Sequence, residues 1–168
     1  MKEAVIMAEQ KTNVMRTLEQ KKIPYTAHSY PHGDEAVDGV QVAQLIGRPV
    51  EQVYKTLVAV GASKKNYVFV IPADHALDLK KAARSVGEKA VSMIPVKDIN
   101  KVTGYIRGGC SPIGMKKAFP TYVDERALEH ETITVSAGVR GAQLLLDRAA
   151  LLQFIQAKTA PITVKYEN

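Results

Sequence analysis

The sequence predicts a single domain of the α+β class (mixed α/β), built on a mixed, largely antiparallel sheet that is flanked by helices. Its 168 residues match the usual size of one domain, and no Pro- or Ser-rich linker divides them. Two apolar strands around a short polar turn indicate a hairpin, and helices and strands interleave irregularly rather than as regular βαβ units. We therefore expect residues 1–168 to form one domain.

The first third of the chain predicts two helices with an extended segment between them. Apolar residues four positions apart predict an amphipathic helix over Thr12–Lys22. Pro24–Tyr30 is expected to be extended, because it begins with a helix-breaking proline. Asp38 is a candidate N-cap of a second helix, and Gly47 is its stop signal.

The middle of the chain carries the clearest strand signals. Val53–Val60 and Tyr67–Ile71 are apolar and are joined by six polar or small residues, which predicts the hairpin. A helix is predicted over Leu77–Val86, and a short strand over Ala90–Met93. Pro95–Val102 is expected to be a short helix, since proline is well tolerated in the first helical turn.

The last third begins with a glycine-rich loop and ends with a helix. The loop covers Gly104–Gly114, and Asp147 is expected to cap a final helix over Arg148–Ala157. Three further strands are predicted between them, over Thr121–Val123, Thr132–Val135 and Gln143–Leu146.

The composition narrows the possible classes of function. One cysteine excludes a disulfide framework and a cysteine-rich zinc site. A net charge of +6 favours polyanionic partners such as nucleic acid. No apolar run approaches the roughly 18 residues that a membrane span requires, and Met1–Lys11 lacks the apolar core of a signal peptide. We therefore expect a cytoplasmic protein without a membrane partner.

Lys55 is the most informative single residue, because it interrupts an apolar strand. Alternation places Val53, Lys55 and Leu57 on one face of the sheet and Tyr54 and Thr56 on the other. A buried ammonium is costly unless an anion or a polar pocket meets it, so Lys55 is a candidate site residue. The alternative is a lysine that protects an edge strand from aggregation.

Two loops could supply groups that bind an anion or a carbonyl oxygen. In the first, Gly108 and Gly109 follow Arg107, so backbone N–H groups could point together beside a guanidinium. A tight turn without a ligand is the alternative. The second loop, Ser136–Gly141, contributes a hydroxyl, two glycines and Arg140. Together with the strand lysine, these loops predict one pocket.

A nucleophile supplied by the protein has less support. Cys110 lies beside the glycines, but no local signature pairs it with a histidine. The spacing of the histidines does not suggest a metal site, and we predict neither a metal nor a cofactor. The candidate bases are His28, His32, His75 and His130.

These motifs resemble those of the YbaK/EbsC family of aminoacyl-tRNA deacylases. The similarity runs from about Thr12 to Ala157, and within the family it is strongest to free-standing deacylases that hydrolyse Cys-tRNA(Pro). The resemblance implies a YbaK-like fold with a barrel-like sheet, and the acceptor end of tRNA(Pro) and prolyl-tRNA synthetase as partners. It is carried by Gly33–Val37, Tyr54–Leu57, Thr103–Lys117 and Ser136–Gly141.

The resemblance also implies roles for individual residues. Lys55 would bind near the terminal adenosine and the ester, with the Gly108–Gly109 backbone facing the ester carbonyl. A position that is often acidic in the family is Gln143 here, so no carboxylate is expected there. Further residues of the substrate pocket would be Tyr30, Thr56, Ser136, Arg107 and Arg140.

The family mechanism implied for this chain needs no protein nucleophile, because the thiol of the substrate cysteine attacks its own ester. Attack by water remains open as an alternative. The preferred amino acid is also open, since small differences in pocket volume discriminate by only about 1–3 kcal/mol. A different class of function is a binding module that holds aminoacyl-tRNA, or a synthetase, without turnover.

Overall fold

The structure is a computed structural model that describes residues 11–165. The prediction that Met1–Lys11 lacks a signal peptide concerns residues that lie almost entirely outside this range. Five α-helices lie in the described range: α1 (Asn13–Gln20), α2 (Gly39–Ile46), α3 (Leu79–Val86), α4 (Ile99–Thr103) and α5 (Arg148–Phe154). Ten strands accompany them: β1 (Tyr25–Ser29), β2 (Tyr54–Gly61), β3 (Asn66–Pro72), β4 (His75–Leu77), β5 (Val91–Met93), β6 (Thr121–Asp124), β7 (Thr132–Ser136), β8 (Ala142–Asp147), β9 (Lys158–Ala160) and β10 (Thr163–Lys165).

The strands form three sheets rather than the single sheet expected, but their pairing is mixed and largely antiparallel, as the sequence predicts. The largest sheet has the order β5-β2-β3-β6-β9, the second β1-β8-β7, and the third pairs β10 with β4. The predicted hairpin is β2 with β3, in register from Tyr54 opposite Pro72 to Val60 opposite Asn66. Only the β3–β6 and β6–β9 pairs are parallel within the described residues.

The expected closure of the sheet into a barrel is wrong. The two larger sheets meet at a single parallel bridge, Val53 with Thr134, and no continuous ladder joins them within residues 11–165. A barrel needs hydrogen-bonded strands around its whole circumference. Here β1, β5 and β9 are left at sheet edges, so the two sheets pack around a core with an opening between β2 and β7.

Most predicted elements form, and their ends follow from local chemistry. The Thr12 hydroxyl caps α1 by accepting a hydrogen bond from the Met15 N–H at 3.2 Å. Two boundaries are wrong. Leu77 belongs to β4 rather than to a helix, and the final helix ends at Phe154 rather than at Ala157 because Gln156 has a positive φ of 54°. The helix α3 begins after Asp78, whose carboxylate accepts hydrogen bonds from the Lys80 and Lys81 N–H groups.

Two apolar clusters hold the sheets, and a third positions the start of β2. The main cluster packs α1 against the three-stranded sheet and one face of β2 and β3, whereas the second packs α3 against their other face. In the third, Ala43 of α2 contacts the region of Val53 and Ala73. This contact places α2 beside the opening between β2 and β7.

Candidate functional site

A cavity of about 520 Å³ lies where the two larger sheets separate. Its walls come from β2, from the ends of β7 and β8, from the start of α2 and from the segment around residues 93–110. This volume is within the usual range for a small-molecule site. Seven of the nine predicted site residues line it, namely Tyr30, Lys55, Thr56, Arg107, Gly108, Ser136 and Gln143.

Lys55 extends from an interior strand into the cavity. It is half-buried and lies opposite Ile71 of β3, and its Nζ donates a hydrogen bond to the Ala73 carbonyl at 3.4 Å. On its other side β2 pairs with β5 only at Ala59–Gly61, so β5 does not cover the strand at Lys55. The side of β2 that β5 leaves uncovered here borders the cavity, and the charge of Lys55 lies at the cavity wall.

Three polar side chains form a row across the three-stranded sheet β1-β8-β7. Ser136, Gln143 and His28 are directly opposite one another in β7, β8 and β1, so their side chains share one face. The Ser136 hydroxyl accepts a hydrogen bond from the Gly138 N–H at 3.1 Å. Burial, with a smaller effect of the Arg48 charge, lowers the pKa of His28. The position of His28 beside Gln143 was not predicted, because β1 and β8 are more than 100 residues apart in the chain.

Several buried polar atoms of this region have no hydrogen-bond partner among the described residues. They include Thr56 Oγ1 and Gln143 Oε1, on two walls of the cavity, and His28 Nε2. A buried polar atom without a partner is costly, and such atoms are usually satisfied by water or a ligand. The cavity is therefore suited to a ligand that can donate hydrogen bonds.

Of the two adjacent glycines, only Gly108 reaches the cavity. Its backbone has φ +88°, and a Cβ atom there would lie 2.8 Å from the Cβ of Ala36, so glycine is required. Gly109 is buried, and its N–H donates to the Ile106 carbonyl at 2.9 Å. Its amide hydrogen is thus used to close the turn, and the turn presents Gly108 to the cavity.

Arg140 does not line the cavity, and it joins two of the loops that surround it. Its Nε donates to the Arg107 carbonyl at 2.8 Å, and its Nη1 donates to the Asp34 carbonyl. These contacts link the glycine turn to the segment that precedes α2. Arg140 is therefore a positioning residue, whereas the exposed Arg107 lies at the mouth of the cavity.

Cys110 lines the cavity in a form that is poorly suited to nucleophilic attack. Burial raises the pKa of its thiol to about 11, and a hydrogen bond with Thr103 offsets this only in part. The thiol is therefore protonated at neutral pH. No histidine within residues 11–165 donates to it or accepts from it in a recorded hydrogen bond, so no base is paired with it.

One wall of the cavity was not predicted from the sequence and is mainly apolar. Its residues come from α2 and from the region of β5 and α4, which are distant in sequence and carry only ordinary core patterns. Asp38 precedes α2 as expected, but its side chain makes no capping hydrogen bond. The members of this wall include Val37, Val42, Met93, Ile94, Val96 and Ile99.

The polar and reactive groups at the cavity are an ammonium, a guanidinium, a carboxylate, hydroxyls, a carboxamide, a thiol and a glycine backbone. Within the described part of the chain, no group of three His, Cys, Asp or Glu residues could hold a metal ion. No helix among residues 11–165 is long and apolar enough to cross a membrane.

The fold and the site together define a class of protein, namely enzymes that edit aminoacyl-tRNA. The chain belongs to the aminoacyl-tRNA editing domain family, whose model matches residues 34–154. Six of the seven predicted residues that line the cavity fall inside that range, and Tyr30 alone of the seven lies outside it. The resemblance found in the sequence is confirmed.

Individual relatives agree with this assignment. The chain is 46% identical over 157 residues to the "Putative Cys-tRNA(Pro)/Cys-tRNA(Cys) deacylase EbsC" of Enterococcus faecalis, covering 94% of this chain and 96% of the relative. A solved structure of "a putative trans-editing enzyme for prolyl tRNA synthetase" is 27% identical, with a TM-score of 0.77 over 92% of this chain and 95% of that one. The "hypothetical protein APE2540" shares the fold, with a TM-score of 0.81 at 19% identity over 91% of this chain and all of its own.

Proposed function

We propose that this protein is a free-standing deacylase that removes cysteine from mischarged tRNA, with Cys-tRNA(Pro) as its main substrate. The observation that carries the proposal is the cavity, because it gathers Lys55, Gly108 and Ser136 from three separate segments of the chain. The 46% identity to a relative whose name includes Cys-tRNA(Pro) supports this choice of substrate.

The two sides of the cavity suit the two parts of an aminoacyl ester. The apolar wall around Val42, Ile94 and Ile99 would receive the amino-acid side chain. Lys55 and the Gly108 backbone would face the ester, while Thr56 and Gln143 would bind polar atoms of the terminal adenosine. The buried acceptor oxygen of Gln143 would receive a hydrogen from a ligand hydroxyl or amino group.

The proposed reaction uses the thiol of the substrate as nucleophile. The substrate sulfur attacks the ester carbonyl, a sulfur–carbon bond forms, and the bond from the carbonyl carbon to the ribose oxygen breaks. The ribose oxygen leaves as a hydroxyl and takes up the proton that the thiol releases, and water later opens the thiolactone to free cysteine. Holding thiol and carbonyl together supplies a large rate effect through proximity.

Lys55 and Gly108 would stabilise the negative charge that develops on the carbonyl oxygen. Removing one such preorganised donor in other enzymes costs about 10²–10³ in rate. Cys110 takes no part in this scheme, since burial raises the pKa of its thiol to about 11 and keeps it protonated. The protein would therefore orient the ester and stabilise the charge on its carbonyl oxygen, and the substrate would supply the nucleophile.

The partners follow from the substrate. The acceptor end of tRNA(Pro) would enter the cavity, and prolyl-tRNA synthetase, which makes the mischarged species, would be the source of the substrate. We place the reaction in the cytoplasm, where charged tRNA is used for translation.

A deacylation assay tests the proposal. Purified protein is mixed with Cys-tRNA(Pro), Cys-tRNA(Cys) and correctly charged Pro-tRNA(Pro), and loss of the ester is followed over time. We expect rapid loss of cysteine from tRNA(Pro) and little loss of proline. Binding of charged tRNA without any acceleration of ester loss would instead identify a binding module and contradict the proposal.

A further inference from the structure

We propose that residues 93–117, a segment we name the basic rim, bind phosphates of the acceptor stem beside the cavity; this inference rests on the proposed function. The basic rim contains five lysines and arginines against one acidic residue, Asp98, and so carries +4 of the chain's net charge of +6. About a seventh of the chain thus holds most of its excess charge. The cations are Lys97, Lys101, Arg107, Lys116 and Lys117.

The basic rim is continuous with the cavity. Met93, Val96 and Arg107 line the cavity, and the side chains of Met93 and Val96 are 41% and 57% exposed. Ile106, on the same segment, is 48% exposed. The basic rim therefore adjoins the mouth of the cavity directly.

The lysines of the rim are exposed and lie close together. Lys97 and Lys101 are four positions apart in a short helical segment, which puts them on one side of it. The Lys116 Nζ donates to the Lys101 carbonyl at 3.3 Å, and the Lys116 N–H donates to the Thr103 carbonyl at 3.1 Å. These bonds join the two halves of the rim, and Lys117 follows directly.

The other charged segment at the cavity has the opposite sign. Residues 34–38 contain Asp34, Glu35 and Asp38 and no cation, and Asp38 lines the cavity. This segment meets the rim at Gly108, next to Ala36. A polyanion is therefore drawn to the lysines of the rim rather than to residues 34–38.

The position of the lysines indicates which phosphates they contact. None of Lys97, Lys101, Lys116 and Lys117 lines the cavity, so they lie outside the space for the aminoacyl-adenosine. Phosphates outside that space belong to the nucleotides that precede the terminal one and to the stem. Such contacts add affinity that falls with rising salt, because bound phosphates release their counterions.

The test compares two triple variants in their affinity for an uncharged tRNA(Pro) transcript, measured as Kd over a range of NaCl concentrations. Lys97→Gln/Lys101→Gln/Lys117→Gln neutralises the rim and keeps Lys116, which also bonds the Lys101 carbonyl. The control, Lys64→Gln/Lys65→Gln/Lys89→Gln, removes the same charge from exposed positions near the other end of β2. Circular dichroism and thermal melting verify that both variants are folded.

We expect the rim variant to bind the transcript at least about tenfold more weakly at low salt, and its plot of log affinity against log salt to be shallower by roughly two to three. The control should stay close to the wild type. Unchanged Kd and slope in the rim variant, or an equal loss in the control, would overturn the proposal.

A small substrate separates this inference from the proposed function. Hydrolysis of cysteinyl-adenosine, which lacks the stem, should proceed equally in the wild type and in the rim variant. An equal loss of activity on this ester would show that the lysines act within the cavity, and would overturn the proposal. If the wild type hydrolyses neither cysteinyl-adenosine nor Cys-tRNA(Pro), the proposed function fails. The comparison of transcript binding between the two triple variants still decides the role of the rim.

Discussion

At the scale of single residues, Lys55 carries the most weight, because it brings a charge into an apolar strand and into the cavity. We expect Lys55→Ala to lower the rate of deacylation by about 10²–10³, as for loss of a preorganised donor. The expected change in fold is small, since Lys55 is half-buried and lies at the wall of the cavity rather than in the apolar core.

Single-turnover kinetics with Cys-tRNA(Pro) measure this effect, and circular dichroism verifies the fold. Lys65→Ala is a matched control, because it removes an exposed lysine from the β2–β3 turn. Normal activity in a folded Lys55→Ala protein would remove Lys55 from the proposed site.

The second prediction at this scale is that Cys110 is dispensable. The raised pKa of about 11, caused chiefly by burial, keeps its thiol protonated. We expect Cys110→Ser to retain activity within about tenfold, which corresponds to about 1.4 kcal/mol of barrier. A larger loss in a folded variant, measured in the same kinetic assay, would return Cys110 as a candidate nucleophile.

The functional importance of some of these residues could be predicted from the sequence, whereas the contacts of others could not. Lys55 stands out because a lone charge in an apolar run is physically costly. The contacts of Arg140 could not be predicted, because its partners Arg107 and Asp34 are 33 and 106 positions away. Gly109 was expected at the ester, but its N–H is used by the Ile106 carbonyl.

At the scale of elements, the glycine turn and the segment before α2 form a single unit. Gly108 has φ +88°, and a Cβ atom there would lie 2.8 Å from the Cβ of Ala36, so Gly108→Ala adds backbone strain and a close contact. We expect this variant to lower the free energy of unfolding by roughly 1–3 kcal/mol and to lower activity, because the turn must move away from the ester.

Gly33→Ala is the matched control, since a Cβ at Gly33 meets nothing within 4 Å. It should leave stability and activity near the wild-type values. Chemical denaturation and the deacylation assay provide both readouts. Equal behaviour of the two alanine variants would contradict the role given to the Gly108 turn.

Elements with strong local signals were predicted well, whereas three of the four three-residue strands among the described residues were not. The β2–β3 hairpin and α1 follow from periodicity and from polar or capping residues at their ends. By contrast, β4, β9 and β10 have three residues each, too few to show a period. These strands form through pairing with distant partners, such as β10 with β4, and this explains why Leu77 was assigned to a helix.

At the scale of the whole molecule, the α+β fold class and the mixed strand pairing follow from the sequence. Whether the sheets close into a barrel does not follow from it. Whether two sheets join depends on one bridge between Val53 and Thr134, which local patterns do not encode. The apolar wall of the cavity is missed for the same reason, since α2 and the region of β5 and α4 meet only in the folded chain. The lining of the cavity is therefore a tertiary property.

The central claim is that the substrate thiol performs the attack within this cavity. If so, catalysis depends on the thiol more than on the size of the side chain, because serine is similar in size and alanine lacks the group. An enzyme that used water in a size-limited pocket would accept all three amino acids within roughly 10–200-fold.

The most direct test is single-turnover deacylation of Cys-tRNA(Pro), Ser-tRNA(Pro) and Ala-tRNA(Pro) at saturating enzyme, which separates chemistry from binding. We predict that the cysteine ester is cleaved more than about 200-fold faster than the serine and alanine esters, which exceeds what a size-limited pocket provides. Comparable rates for the cysteine and alanine esters would contradict attack by the substrate thiol.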